Sequence, residues 1–403
     1  MGAGTLVELI ARGQQDVYII GNPQFSYFKS VYKRHTNFAI EPIKQIFTES
    51  PDFGKRVTCI IDKKADLLSD ILLEVELPAL QPDISWTNGI GYHMIDWVEL
   101  QFGGEPIDRV SGEFMNLFIE LTTPPGKKQA LYNMIGKFNG FNKNTQTGAL
   151  KLLIPLQFWF CRTIEKVLPL ISMQYTDIKI IVQFKPFDNC WYKLTGIVPD
   201  SIPQITKANL LCNYIYLDVF ERTQFAKELM HEYLIEQFQN TNGYHISANI
   251  LNVNVRLFFN HTVKELFWTY QTTIATNAND YDNYANISNY NTPNESITTP
   301  LNDVTLRFNG NDRFEKLTET FFRLYQPYKY HSSGTNNYIY MYSFALEPEN
   351  VQPSGTCNFS KLDNVVLSLD FTQNIPDGLV NVYAINYNIL KIQNGMAGLM
   401  FSS

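Results

Sequence analysis

Five stretches of this chain alternate apolar and polar residues with a period of two, and that pattern limits the fold more than any other feature. In DILLEVELP, Ile71, Leu73, Val75 and Leu77 share one face, with Glu74 and Glu76 on the other. DIKIIVQF sets Ile178, Ile180, Val182 and Phe184 against Lys179 and Gln183. LNVNVRLFF sets Leu251, Val253, Val255, Leu257 and Phe259 against Asn252, Asn254 and Arg256. DVTLRFNG and NVVLSLDF repeat the pattern. Successive side chains point to opposite faces of a strand, so each segment predicts an antiparallel strand buried on one side. FGGE (102–105), FNGND (308–312) and PSG (353–355) supply turns between such strands. Many short strands with few helical runs predict an all-β sandwich or barrel architecture.

At 403 residues the chain exceeds one ordinary core and suits two domains. The order of elements supports that division. KSVYKRHTNF, IEPIKQIF, RVTCIID and ILLEVEL in the first half are matched in kind by FERTQFAKEL, EYLIEQFQ, VNVRLFF and LFWTYQ in the second. Two similar β domains meeting near residue 210 follow from this pseudo-repeat. The helical candidates are short: TLVELIAR (5–12), SGEFMNLFIELT (111–122) and DVFERTQFAKELMHE (218–232). Residues 122–150 and 271–300 are rich in Asn, Thr, Gly or Tyr and poor in aliphatic pattern, so they read as long loops on an exposed face.

The net charge of −7 gives no electrostatic footprint for wrapping nucleic acid. The local cluster Lys29, Lys33, Arg34 and His35 reads as a solvated or partner-facing turn. Five cysteines at wide spacing, without a CxxC pair, argue against a zinc ribbon or a disulfide framework. The N-terminus lacks the basic start and long apolar core of a signal peptide, so secretion by the usual route is not expected. No Walker A loop, G-x-S-x-G elbow or H-E-x-x-H occurs, and the six histidines are scattered singly. Asp96, Glu99, Glu105 and Asp108 flank the Gly-Gly turn and read as the outer face of a hairpin.

QPSGTCNFSKLDN (352–364) looks at first like the setting of a reactive thiol. Nothing nearby marks a base or an oxyanion hole for Cys357, which reads instead as a packed residue in a turn. Four N-x-[ST] acceptors occur, at Asn260, Asn286, Asn294 and Asn358. Asn286 and Asn294 are the candidate glycosylation positions, because they fall in the loop expected to be exposed.

Seven blocks carry a resemblance, in the same order along the chain. They are GQQDVYIIGNPQFSYFKSVYKRHTNF (13–38), IDWVELQFGGEPIDRVSGEFMNLFIELT (95–122), LLIPLQFWFCRTIEKVLPLISMQYTDIKI (152–180), YIYLDVFERTQFAKELMHEYLIEQFQ (214–239), FNHTVKELFW (259–268), YSFALEPENVQPSGTCNFSKLDNVVLSL (342–369) and VYAINYNILKIQNGMAGLMFS (382–402). Together they resemble the major capsid proteins of nucleocytoplasmic large DNA viruses. The resemblance implies a double jelly roll: two tandem eight-stranded antiparallel sandwiches with short helices in their connections. The expected division is an N-terminal arm (1–24), a first jelly roll (25–210) and a second (211–403).

The same resemblance implies a non-enzymatic structural subunit without cofactor or metal. It would form homotrimers, each a pseudo-hexagonal capsomer tiling an icosahedral shell. Implied partners are copies of itself, neighbouring capsomers, and minor capsid and penton proteins, with no direct nucleic-acid contact and at most indirect membrane contact. The implied location is the virion capsid, after synthesis and assembly in the host cytoplasm. Arg12, Asp16, Tyr18 and Asn22 are expected in a capsid-contact arm, and Pro353, Gly355, Cys357 and Asn358 in a structural signature turn. The alternative reading is a jelly-roll carbohydrate-binding or host-attachment module, for which the Tyr- and Asn-rich loop 271–300 would supply contacts.

Overall fold

The computed structural model describes residues 2–82, 84–138, 147–193, 198–286, 299–334 and 337–401. It divides into two compact units, Met1–Asn37 and Phe38–Ser403. The first unit carries two short helices, Ala3–Ile10 and Val17–Ile20, and neither has a buried residue.

The second unit opens with eight strands: β1 (Phe38–Gln45), β2 (Arg56–Ile60), β3 (Leu67–Leu77), β4 (Ile95–Phe102), β5 (Glu105–Ser111), β6 (Leu150–Pro155), β7 (Ile178–Phe184) and β8 (Lys207–Leu217). They form two antiparallel sheets, in the orders β1-β8-β3-β6 and β2-β7-β4-β5. Neighbours far apart in sequence, with chain crossing between the sheets, make this a jelly roll. The alternating residues of β3 and β7 bury the faces expected of them, and Val57, Leu73, Leu100, Leu152, Ile180 and Leu210 from both sheets meet in one core.

The pattern then repeats. The later strands are β9 (Met230–Asn240), β10 (Tyr244–Ile246), β11 (Asn252–Leu257), β12 (Thr262–Thr272), β13 (Leu301–Phe308), β14 (Asn311–Asp312), β15 (Leu317–Thr318), β16 (Ile339–Ser343), β17 (Cys357–Asn358), β18 (Val365–Phe371), β19 (Gly378–Gln393) and β20 (Met396–Leu399). One sheet runs β10-β19-β12-β16, with β9 also on β19; the other runs β11-β18-β13-β14. With β9 and β10 sharing the first strand position, the order reproduces that of the first jelly roll. Val365, Leu367, Leu369 and Phe371 of β18 face the second core, as the alternation requires. Leu251 departs from it: β11 begins one residue later, and this side chain is 53% exposed.

Several expectations need correction. Residue 210 lies inside β8, all of whose partners are β1 and β3, so by hydrogen bonding residues 211–217 side with the first sandwich. The helix expected over 218–232 ends at Lys227, because the chain from Met230 joins β19 as β9. The stretch 122–150 contains a helix, Pro125–Ile135. Pro125 sits at its first position, where no N–H is needed, and Gly136 closes it with φ of 68°.

Strands β12 and β19 explain how the sandwiches join. Nearly every residue of β12 is buried, on both faces. Leu266, Trp268 and Tyr270 point into the second core, whereas Phe267 joins the cluster that includes the first core. The outer face of this sheet is therefore an internal surface of the protein.

Candidate functional site: the seam between the sandwiches

Helix Gly112–Thr122 follows β5 directly and is started by Ser111, whose Oγ accepts a hydrogen bond from Phe114 N at 3.2 Å. Its apolar face enters the second sandwich. The Phe114 ring lies 4.9 Å from Phe238, 5.7 Å from Phe267 and 4.9 Å from Tyr383, centroid to centroid. Such aromatic pairs add to the stabilisation from burial alone. The hairpin β4–β5 is covered by the same contact. Asp96 and Glu105 remain exposed, but Glu99 and Asp108 are buried, which corrects the outer-face reading of this group. Asp108 Oδ1 accepts from Phe238 N at 3.1 Å, and Gln237 of β9 donates to Ile107 O. Burial pushes the Asp108 carboxyl up to about 7, against the hydrogen bond from Phe238 and the charge of Arg162.

Two buried polar clusters cross the seam. The first centres on Glu236 of β9, whose carboxylate serves three cations. Arg162 Nη2 lies 2.9 Å away, Lys264 Nζ 3.0 Å and Lys166 Nζ 3.4 Å. Arg162 ends the short helix Trp159–Arg162, and its guanidinium lies 5.3 and 5.2 Å from the ring centroids of Phe118 and Phe238. Lys264 and Glu265 of β12 are both buried, at a register shift between Val263 and Glu265. Burial alone would raise the Glu236 carboxyl; Arg162, Lys264 and Lys166 outweigh it and bring the group down to about 2. Lys166 shows the other side of this balance. Its burial lowers it, and one shared carboxylate does not restore it to the usual lysine range. Beside this cluster His331 bridges Glu265 (3.0 Å) and Glu349 (2.9 Å). Burial disfavours its charge, but the two carboxylates raise it to about 9, so it is an imidazolium at neutral pH.

The second cluster centres on Asp282. Lys137 Nζ contacts Asp282 Oδ1 at 3.0 Å and Glu120 Oε1 at 2.8 Å, and Asn116 Nδ2 donates to Asp282 Oδ1 at 2.7 Å. Asn88 Nδ2 donates to Asp282 Oδ2 at 3.1 Å, and His93 lies 3.4 Å from Oδ1. Burial would raise Asp282, but Lys137 and these donors hold it well below the usual carboxylate range. This overturns the exposed-face reading of 271–300 for its described part. Ala275, Asn279, Asp280, Asn283, Tyr284 and Ala285 are buried. Two of the asparagines that suggest a surface loop are satisfied internally: Asn279 Nδ2 donates to Asp188 O at 2.8 Å and to Trp191 O at 2.7 Å, and Asn283 Nδ2 donates to Asp280 Oδ2 at 3.1 Å.

The signature turn stitches the edge of the same sheet. Cys357 and Asn358 form β17 and pair with Val263 and Thr262 of β12. Gly355 has φ of 144°, and a Cβ there would meet Phe344 O at 2.6 Å. Pro353 is exposed at the bend. Ser360 Oγ accepts from His261 N at 2.7 Å, and Phe359 anchors the turn in the second core. Cys357 is half-buried, and burial pushes its thiol up, away from the reactive thiolate.

These features coincide with what the chain is similar to. Residues 26–218 match the family described as major capsid protein N-terminus, and residues 221–398 match the large eukaryotic DNA virus major capsid protein family. The chain is 36% identical to the major capsid protein of Pyramimonas orientalis virus, with both chains covered in full. The chain belongs to this capsid family. Against the major capsid protein of Paramecium bursaria Chlorella virus 1 the identity is 34%, again over the whole of both. A chain of the PBCV-1 virus capsid structure superimposes with a TM-score of 0.81 at 30% identity, covering 94% of this chain and 100% of that one. The Faustovirus major capsid protein, 13% identical, shares the fold with a TM-score of 0.76. The fold is thus a double jelly roll and the protein a structural component of the virion capsid of a large DNA virus. The gap between the two family matches falls at the end of β8 and the start of the connector helix Val219–Lys227.

Within this capsid subunit the residues singled out in sequence do not converge on one site. Arg12, Tyr18 and Asn22 are exposed in the first unit, and Asp16 accepts a hydrogen bond from Gly13 N at 2.7 Å. Asn286 is half-buried, its Nδ2 3.4 Å from Thr372 Oγ1, while Asn294 lies outside the described residues. Asn260 and Asn358 are the exposed described acceptors. The seam clusters escape sequence reading because their members lie far apart in the chain. The one available signal is the loss of polar alternation in KELFWTYQ and NVYAINYNIL, which marks strands buried on both faces.

Proposed function

We propose that the chain is a non-enzymatic building block that forms homotrimers, each a pseudo-hexagonal capsomer of an icosahedral shell. The observation that carries this reading is the pair of sandwiches with the same strand order, fused through a buried aromatic and ionic seam. Three such chains present six similar sandwiches, and a closed threefold ring satisfies each chain's flanks with identical contacts. The function is then packing, and the seam keeps the two sandwiches of a chain in one fixed relation. Residues 1–24 reach minor capsid proteins beneath the shell; Leu6, Leu9, Ile10, Tyr18 and Ile19 offer exposed apolar surface for that contact. Neighbouring capsomers and penton proteins complete the partner set, and assembly takes place in the host cytoplasm. The purified full-length chain is expected to have a native mass three times that of the 46.5 kDa monomer. A stable monomer that binds a glycan array would favour the carbohydrate-binding alternative instead.

A further inference from the structure

A cavity of about 340 Å³ lies in the seam, beside the Glu236 cluster. At about 30 Å³ per water molecule it has room for roughly ten waters or a hydrated ion. One wall carries Arg162, Lys166 and Lys264, all directed at the single carboxylate of Glu236. That wall holds two more positive charges than negative ones. The same lining carries His331 with Glu265 and Glu349, where one imidazolium faces two carboxylates. The lining therefore holds one cationic and one acidic cluster.

The cationic wall is short of counter-charge, because Arg162, Lys166 and Lys264 share Glu236. Among the described residues Lys166 has one ionic contact, the 3.4 Å approach to Glu236, although its side chain is only 8% exposed. A buried cation that shares its counter-charge is costly. An anion beside Lys166 would supply the missing charge. We propose that the seam cavity binds a small tetrahedral oxyanion of the phosphate or sulfate class, held by Lys166 with Arg162 and Lys264 behind it. The Lys166 ammonium donates to the ion, and Arg162 and Lys264 add positive charge at the same end. Glu265 and Glu349 repel an anion, so Lys166 is the group that holds it. The ligand bridges the sandwiches, because Arg162 and Lys166 belong to the first and Lys264 to the second.

The test is calorimetric titration of the full-length protein with inorganic phosphate, at pH 7 and constant ionic strength maintained with chloride. Saturable binding at one ion per chain is expected, with sulfate competing. K166M is expected to weaken binding at least tenfold while the native mass stays unchanged. Absence of saturable binding, or equal affinity in K166M, would overturn the proposal. If K166M does not fold, density maps of the unaltered protein in phosphate and in chloride decide the matter. An oxyanion peak within hydrogen-bond reach of Lys166 Nζ in phosphate alone supports the site, and its absence there refutes it.

Discussion

Replacing Glu236 by Gln keeps the side-chain volume but removes the only carboxylate among the described residues that Arg162, Lys166 and Lys264 share. Two calculations give the size of the effect. A carboxyl lowered from 4.5 to about 2 contributes about 3 kcal/mol to folding at neutral pH. Removing one partner of a buried ionic group costs about 3–5 kcal/mol. With an unfolding entropy of about 2.1 cal/mol/K per residue over roughly 370 residues, 3–4 kcal/mol lowers the melting temperature by about 4–5 °C. Because the folded-state value is depressed, the contribution is complete above the unfolded value of 4.5 and disappears as the pH falls towards 2. Scanning calorimetry of E236Q and the unaltered protein in chloride buffer should therefore show the full gap at pH 7, a narrowing below pH 4.5, and little difference near pH 2. A gap under 1 kcal/mol at pH 7, or one that does not change with pH, would refute the account of the seam.

Other consequences can be measured separately. Gly355→Ala forces a side chain into backbone with φ of 144° and against Phe344 O, so it should cost about 1–3 kcal/mol in chemical denaturation. Cys357→Ser should leave assembly intact, and the Cys357 thiol of the folded protein should alkylate more slowly at pH 7.5 than in the denatured chain, since burial raises it. Deleting residues 1–24 should preserve trimers, as judged by native mass, while impairing shell assembly; loss of trimers would place the arm in the trimer interface.

The sandwich architecture is legible because strands with one solvent face record it in their alternation. β3, β7 and β18 bury the faces their residues predict, and the turns at 102–105 and 308–312 close the hairpins β4–β5 and β13–β14. Alternation has nothing to record where both faces are buried. In β12 and β19 the second apolar face belongs to the seam, and its partners come from helix Gly112–Thr122 and the segment around Arg162. Polar residues mislead for the same reason. Lys166 and Glu236 are 70 residues apart, and Lys137 and Asp282 are 145 apart, so local sequence gives each the look of a surface charge. Helix Pro125–Ile135 escapes notice because it buries only Tyr132 and Ile135 and shows little amphipathic pattern. The Cys357 turn resembles a reactive site because Pro, Ser, Gly and Asn serve tight turns and active-site loops alike.

The central claim, that three of these chains close into one capsomer, is tested most directly by electron cryomicroscopy of the purified full-length protein. The account predicts a particle with threefold symmetry, six sandwiches in a near-hexagonal ring, and both sandwiches of each chain held in one fixed orientation. Monomeric particles, or chains whose two sandwiches take variable orientations, would contradict it.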